Sequence, residues 1–158
     1  MVASTRHVTC GPDVTAVASP PFERDEAHWL FKLSPDEWIR AGLADLRRSE
    51  EAYASNDPRA GLASAKRAAG MALNGALIVE PDDAWGRSFV DHLMALGRDT
   101  RVPERVRVAC RELTESAPPA AAKLVTLRTA SIDKRILEAA RDVIAHAYAV
   151  VKRHEGNP

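Results

Sequence analysis

The sequence predicts an all-α fold: an antiparallel bundle of about five helices behind an irregular N-terminal arm. Three observations carry this. Apolar residues recur every three or four positions over long stretches, the period of one helix face. Proline and cap-forming residues bracket those stretches where helices start and stop. Hydrophobic residues make up 46% of the chain and aromatic residues only 5%. The core is therefore mostly Ala, Leu, Val and Ile, and alanine favours helices while fitting strands poorly.

The chain divides into an arm, residues 1–32, and a helical bundle, residues 33–158. The arm has no sustained period. Thr9 to Asp13 is turn-like, and Pro20-Pro21 interrupts any regular element. Val14 to Val17 reads as a short strand. His28-Trp29-Leu30-Phe31, at the arm's end, is placed to pack back on the bundle as a staple does.

Helix one opens at Ser34-Pro35-Asp36-Glu37, which sets a capping Ser, a Pro at the first helical position and a Glu at the third. Its apolar stripe is Trp38/Ile39, Gly42/Leu43, Leu46 and Tyr53. Arg40, Asp45, Arg47, Arg48 and Glu51 fall on the opposite face. Asn56-Asp57-Pro58 ends it. Helix two runs from Pro58 to about Val79 and is dense in small residues, which allow a close neighbour. The short break between the two predicts an antiparallel hairpin.

Helix three is expected from about Ala84 to Arg98, capped by Pro81-Asp82-Asp83, with Phe89, Leu93 and Leu96 inward. Helix four spans about Pro103 to Ser116, with Val106, Cys110 and Leu113 inward and Pro118-Pro119 beyond. Ala120 to Ala130 fits a short helical turn. Ser131 is placed to cap the last and longest helix, Ile132 to His154, with Asp133 near its positive end.

Charge narrows the function classes. Twenty-two basic and 22 acidic side chains cancel, whereas a broad nucleic-acid surface carries a basic excess. Any RNA contact is therefore local. Cys10 and Cys110 lack CxxC spacing and a nearby His cluster, so neither a disulfide framework nor a metal site is expected, and a cytoplasmic location is. No apolar run approaches the ~20 residues that span a bilayer, so no membrane partner is expected, and no cofactor is.

The last helix holds the one constellation suited to chemistry: Arg141-Asp142-Val-Ile-Ala-His146-Ala-Tyr148. Five residues on a straight helix subtend about 140°. Arg141 and His146 therefore point to different sides of one subunit. Arg141 lies nearer Tyr148, and His146 lies above Asp142. The plain alternative is a flanking polar face with Asp142 and His146 paired one turn apart. Arg87 to His92 repeats the Arg-x4-His spacing, and His92 reads there as a half-buried helix residue near Asp91. The Arg98 to Arg111 segment interleaves acids with its arginines. Arg107 and Arg111 become RNA contacts only if they share the groove of His146. Trp29, Trp38 and Trp85 read as core.

Trp38 to Leu46, Asn56 to Ala60 with Ala65 to Ala69, and Asp91 to Leu96 together resemble the HEPN superfamily (named for higher eukaryotes and prokaryotes nucleotide-binding). The resemblance covers about Ser34 to His154. Many members are metal-independent ribonucleases or descend from them, with a signature of an Arg, a polar residue and, a turn later, a His. It implies Arg141 as phosphate ligand, His146 as general acid or base and Asp142 as orienting group. Tyr148 extends the motif to the form found in toxins paired with a small nucleotidyltransferase, whose target is the tyrosine. It also implies a homodimer in which two motifs meet. The leading expectation is a dimeric binding or partner module for nucleotide or RNA. The alternatives are a toxin-like endoribonuclease and a purely structural bundle.

Overall fold

The computed structural model describes residues 28–86, 88–117 and 130–156. These form five α-helices and no strand: α1 (Pro35–Ala54), α2 (Pro58–Val79), α3 (Phe89–Arg98), α4 (Glu104–Glu115) and α5 (Ala130–Glu155). Short 3₁₀ turns at Trp29–Lys32 and Asp83–Trp85 precede α1 and α3. Cys10, the Val14 to Val17 strand, Pro20-Pro21, Arg87, Pro118-Pro119 and most of the Ala120 to Ala130 segment lie outside the described residues. Among the described residues no helix is long and apolar enough to cross a membrane.

α1 starts where its cap requires. Ser34 Oγ accepts from the Glu37 amide at 3.3 Å, and Glu37 Oε2 accepts from the Ser34 amide at 2.7 Å. Glycines then set the antiparallel register with α2. Gly61 faces the Tyr53 ring, Gly42 faces the Ala68 carbonyl and Ala72, and Gly75 faces the Pro35 carbonyl. The seam is close because these positions have no side chain: a Cβ at Gly42 would sit 2.7 Å from Ala68 O.

The polar face expected for α1 is wrong at Asp45. That carboxylate is fully buried. Arg67 Nε of α2 donates to it at 2.6 Å, and Arg48 donates from one turn along at 2.5 Å. Burial raises the Asp45 pKa, but the hydrogen bonds from Arg67 and Arg48 outweigh it and hold the carboxyl below its ordinary range. Ser49, fully buried one turn on, donates to the Gly61 carbonyl at 2.7 Å.

The arm's end docks as expected for Leu30, which is buried, with its carbonyl accepting from Trp38 Nε1 at 2.8 Å. Trp29 departs from the core reading. It meets Trp38 edge-on at 6.0 Å and His28 at 5.4 Å, and is still 38% exposed.

α3 begins five residues later than expected. Gly86 takes φ 71°, which stops the 3₁₀ turn, and Ser88 opens α3 with a capping box to Asp91. Asp82 caps the turn instead, accepting from the Ala84 amide at 2.9 Å. Leu93 and Leu96 are buried as expected, whereas Phe89 is half-exposed. Its Cβ fills the space above Gly70, and its ring lies out along the surface. In α4, Val106, Cys110 and Leu113 are buried, and burial pushes the Cys110 thiol up to about 12.

α5 runs across α1, α2 and α4. Ile136, Ala140, Val143, Ala147 and Val150 are all buried, as their spacing predicts. Ser131 is not its cap, since the helix already includes Ala130.

Candidate functional site

α5 distributes its polar motif among three neighbours. Arg141 donates to Glu50 Oε1 of α1 at 2.5 Å. Asp142 turns the other way and accepts from Arg105 of α4, at 2.7 Å and 2.8 Å in a fork. This pairing replaces the expected Asp142–His146 contact. The α4 guanidinium offers a full opposite charge, which a neutral imidazole cannot match. Tyr148 is exposed, with Lys152 Nζ 5.5 Å above its ring.

Arg141 and Tyr148 flank a shallow apolar groove of about 260 Å³ between α1 and α5, floored by Ile39, Leu43, Leu46 and Ile144. Leu43, placed inward by its spacing, is 39% exposed here because the groove leaves its side chain uncovered.

His146 opens on a different feature, a cleft of about 670 Å³. The floor is apolar, from Trp85, Leu96, Val102 and Pro103. Its rim is charged. Arg101 forks onto Asp99, with its Nε at 2.9 Å and its terminal nitrogen at 2.7 Å, and lies 3.6 Å from Asp82. Glu80 receives Arg153 at 3.3 Å and His154 at 2.8 Å. Burial and the Arg153 charge lower the His146 pKa, and Glu80 and Asp99 offset this only in part. His146 is therefore a neutral imidazole at pH 7, able to donate at one nitrogen and accept at the other.

Arg107 and Arg111 do not share this cleft. They line a separate groove between α3 and α4 with Leu93, Met94 and Gly97. Both turn back onto Glu104, Arg111 at 3.0 Å. The condition for an RNA track through His146 is not met within one chain.

His92 is more deeply set than expected. It is 1% exposed, with its ring tilted against Trp85 at 5.6 Å. Among the described residues neither ring nitrogen has a hydrogen-bond partner. Burial lowers its pKa, and the nearby Gly86 backbone and Asp91 charge oppose this only in part.

Chemically, one chain cannot close Arg141 and His146 on a single phosphate, because they open to different grooves. The outward ridge between those grooves is Ala145 and Ala149, both exposed; Ala145 borders the apolar groove and Ala149 the His146 cleft. The sequence reading missed the charged rim. Its carboxylates, Glu80, Asp82 and Asp99, come from helix ends and turns, where periodicity is silent. Among the described residues no group of three His, Cys, Asp or Glu side chains is placed to hold a metal ion. No protein-family model, curated protein or solved structure matches this chain.

Proposed function

We propose that this chain is a HEPN-like helical domain that works as a dimeric binding or partner module, with nucleotide or RNA as the ligand class. The observation that carries this reading is the dispersal of the motif. Arg141 is held by Glu50, Asp142 is held by Arg105, and His146 faces a separate cleft. A phosphate ligand for catalysis must be free and aimed, and Arg141 is neither while Glu50 holds it. The small ridge of Ala145 and Ala149 supports a second copy lying along α5, since small side chains let helices approach closely.

The test is oligomeric state. Light scattering after gel filtration should give a dimer, and Ala145→Glu should give a folded monomer. A monomer at every concentration would remove the dimer from this reading. Binding of a labelled oligoribonucleotide, measured beside it, tests the ligand class.

One observation favours a second reading, a metal-independent endoribonuclease. Arg141 and His146 border the same outward ridge, so a symmetry-related α5 would have an Arg141 on one flank and a His146 on the other. RNA incubated with the protein in EDTA should then be cleaved, with activity lost in both His146→Ala and Arg141→Ala. Cleavage that survives in both variants assigns it to a contaminant. In that reading a small nucleotidyltransferase acting on Tyr148 is the partner, and co-purification tests it.

A further inference from the structure

The His146 cleft has a polarity that the dimer reading does not use. Its α5 wall supplies a cation, Arg153, and a hydrogen-bonding imidazole, His146. The loop wall supplies two carboxylates, Asp82 and Asp99, for one guanidinium, Arg101. Asp99 is saturated, since both its oxygens are taken by Arg101. Asp82 is looser. Its Oδ1 caps the turn at Ala84, while its Oδ2 sits 3.6 Å from Arg101, beyond hydrogen-bond range. Arg153 is also under-used, with a single polar contact among the described residues, to Glu80 at 3.3 Å. Each wall thus keeps spare capacity of opposite sign, above an apolar floor that includes Trp85, Val102 and Pro103.

We propose that the cleft is a binding site for a small zwitterion of amino-acid to dipeptide size with an apolar side chain. Its carboxylate meets Arg153, its ammonium meets Asp82, and its side chain lies over Trp85, Val102 and Pro103. His146 lines the same cleft, and its imidazole can hydrogen-bond the ligand. The volume of about 670 Å³ falls in the range of small-molecule sites, about 300–1,000 Å³. A free anion fits less well, because the three rim carboxylates outnumber the two rim arginines. A simple amine leaves the spare donors of Arg153 unused.

The test follows the His146 ring signals by NMR, assigned through His146→Gln. L-phenylalanine and glycyl-phenylalanine are the probes. L-phenylalaninamide lacks the carboxylate and 3-phenylpropanoate lacks the ammonium. A saturable shift with at least one zwitterion is expected. Loss of either charge should weaken binding about tenfold or more. Arg153→Gln should weaken the zwitterion and the propanoate but spare the amide. Asp82→Asn, which keeps the cap oxygen, should weaken the zwitterion and the amide but spare the propanoate. Analogues that bind as tightly as the zwitterions overturn the proposal, and so do His146 signals that neither zwitterion moves.

Discussion

Asp45 and Arg67 form a charged clamp across the α1–α2 seam, 2.6 Å apart, with the carboxylate wholly out of water. Arg67 reaches in from the surface, its side chain 41% exposed, and Arg48 completes the carboxylate's coordination. The partners are unequal. Arg67 can return to water, and Asp45 cannot.

That inequality sets the first prediction. Arg67→Ala strands a buried charge with Arg48 alone. Breaking a buried pair costs about 3–5 kcal/mol, and the remaining partner brings this to about 2–3 kcal/mol. Urea unfolding measures it. The Asp45 pKa lies below its ordinary value, so its stabilisation is complete above about pH 4 and is lost as pH falls through the folded value. Asp45→Asn should flatten that acid limb. An unchanged limb would assign it to other carboxylates.

His92 gives a second pH dependence, in a higher window. Its folded pKa is lowered by burial. As pH falls below about 6.5 the unfolded chain takes up a proton that the folded imidazole refuses, and stability drops. His92→Leu removes the titration and the buried imidazole. It should therefore be at least as stable as the parent at pH 5, with a shallower slope between pH 5 and pH 7 in thermal melts. His146, shifted the same way, contributes a slope of the same sign that His146→Gln should remove.

Gly42 tests the close seam. Alanine is the better helix former by about 1 kcal/mol. Its Cβ would meet the Ala68 carbonyl oxygen at 2.7 Å, and backbone cannot move aside as a side-chain tip can. Overpacking of this kind costs about 1–3 kcal/mol, so Gly42→Ala should be net destabilising by about 1 kcal/mol in chemical denaturation. A stabilised variant would show that the two helices can separate freely.

Arg141 should matter little to folding. Its pair with Glu50 is half-exposed on both sides, and such pairs contribute about 0–1 kcal/mol. Arg141→Ala should melt within a few degrees of the parent. Any loss of RNA binding or cleavage in that variant then reports on the site. A large loss of stability would remove that inference.

Much of the fold was legible from residue spacing. The Ser34 cap, the small-residue face of α2 and the buried stripe of α5 follow from local rules that act within one or two turns. The failures have one physical source: they depend on what lies across a gap. Asp45 looked like surface because its own helix puts it beside Arg47 and Arg48, and the partner that joins Arg48 in offsetting its burial, Arg67, comes from α2. Asp142 found Arg105 on another helix instead of its own neighbour. Helix three lost its first turn to Gly86, whose positive φ a periodic pattern does not register. The helical wheel did place Arg141 and His146 on different sides, and the structure gives each its own groove. It could not show the Glu80, Asp82 and Asp99 rim, assembled from two connections between helices.

The position of α5 sets an order of assembly. α1 and α2 are joined by a short turn and can pair as soon as both exist, since local contacts form before distant ones. The part of their apolar surface that faces α5 stays uncovered until Ile136, Val143 and Val150 arrive, more than 50 residues later in the chain. On the ribosome that interval lasts several seconds at about 5–20 residues per second. The growing chain thus carries a greasy helical hairpin for which α5 is the last cover, and chaperone capture during synthesis should concentrate before α5 emerges.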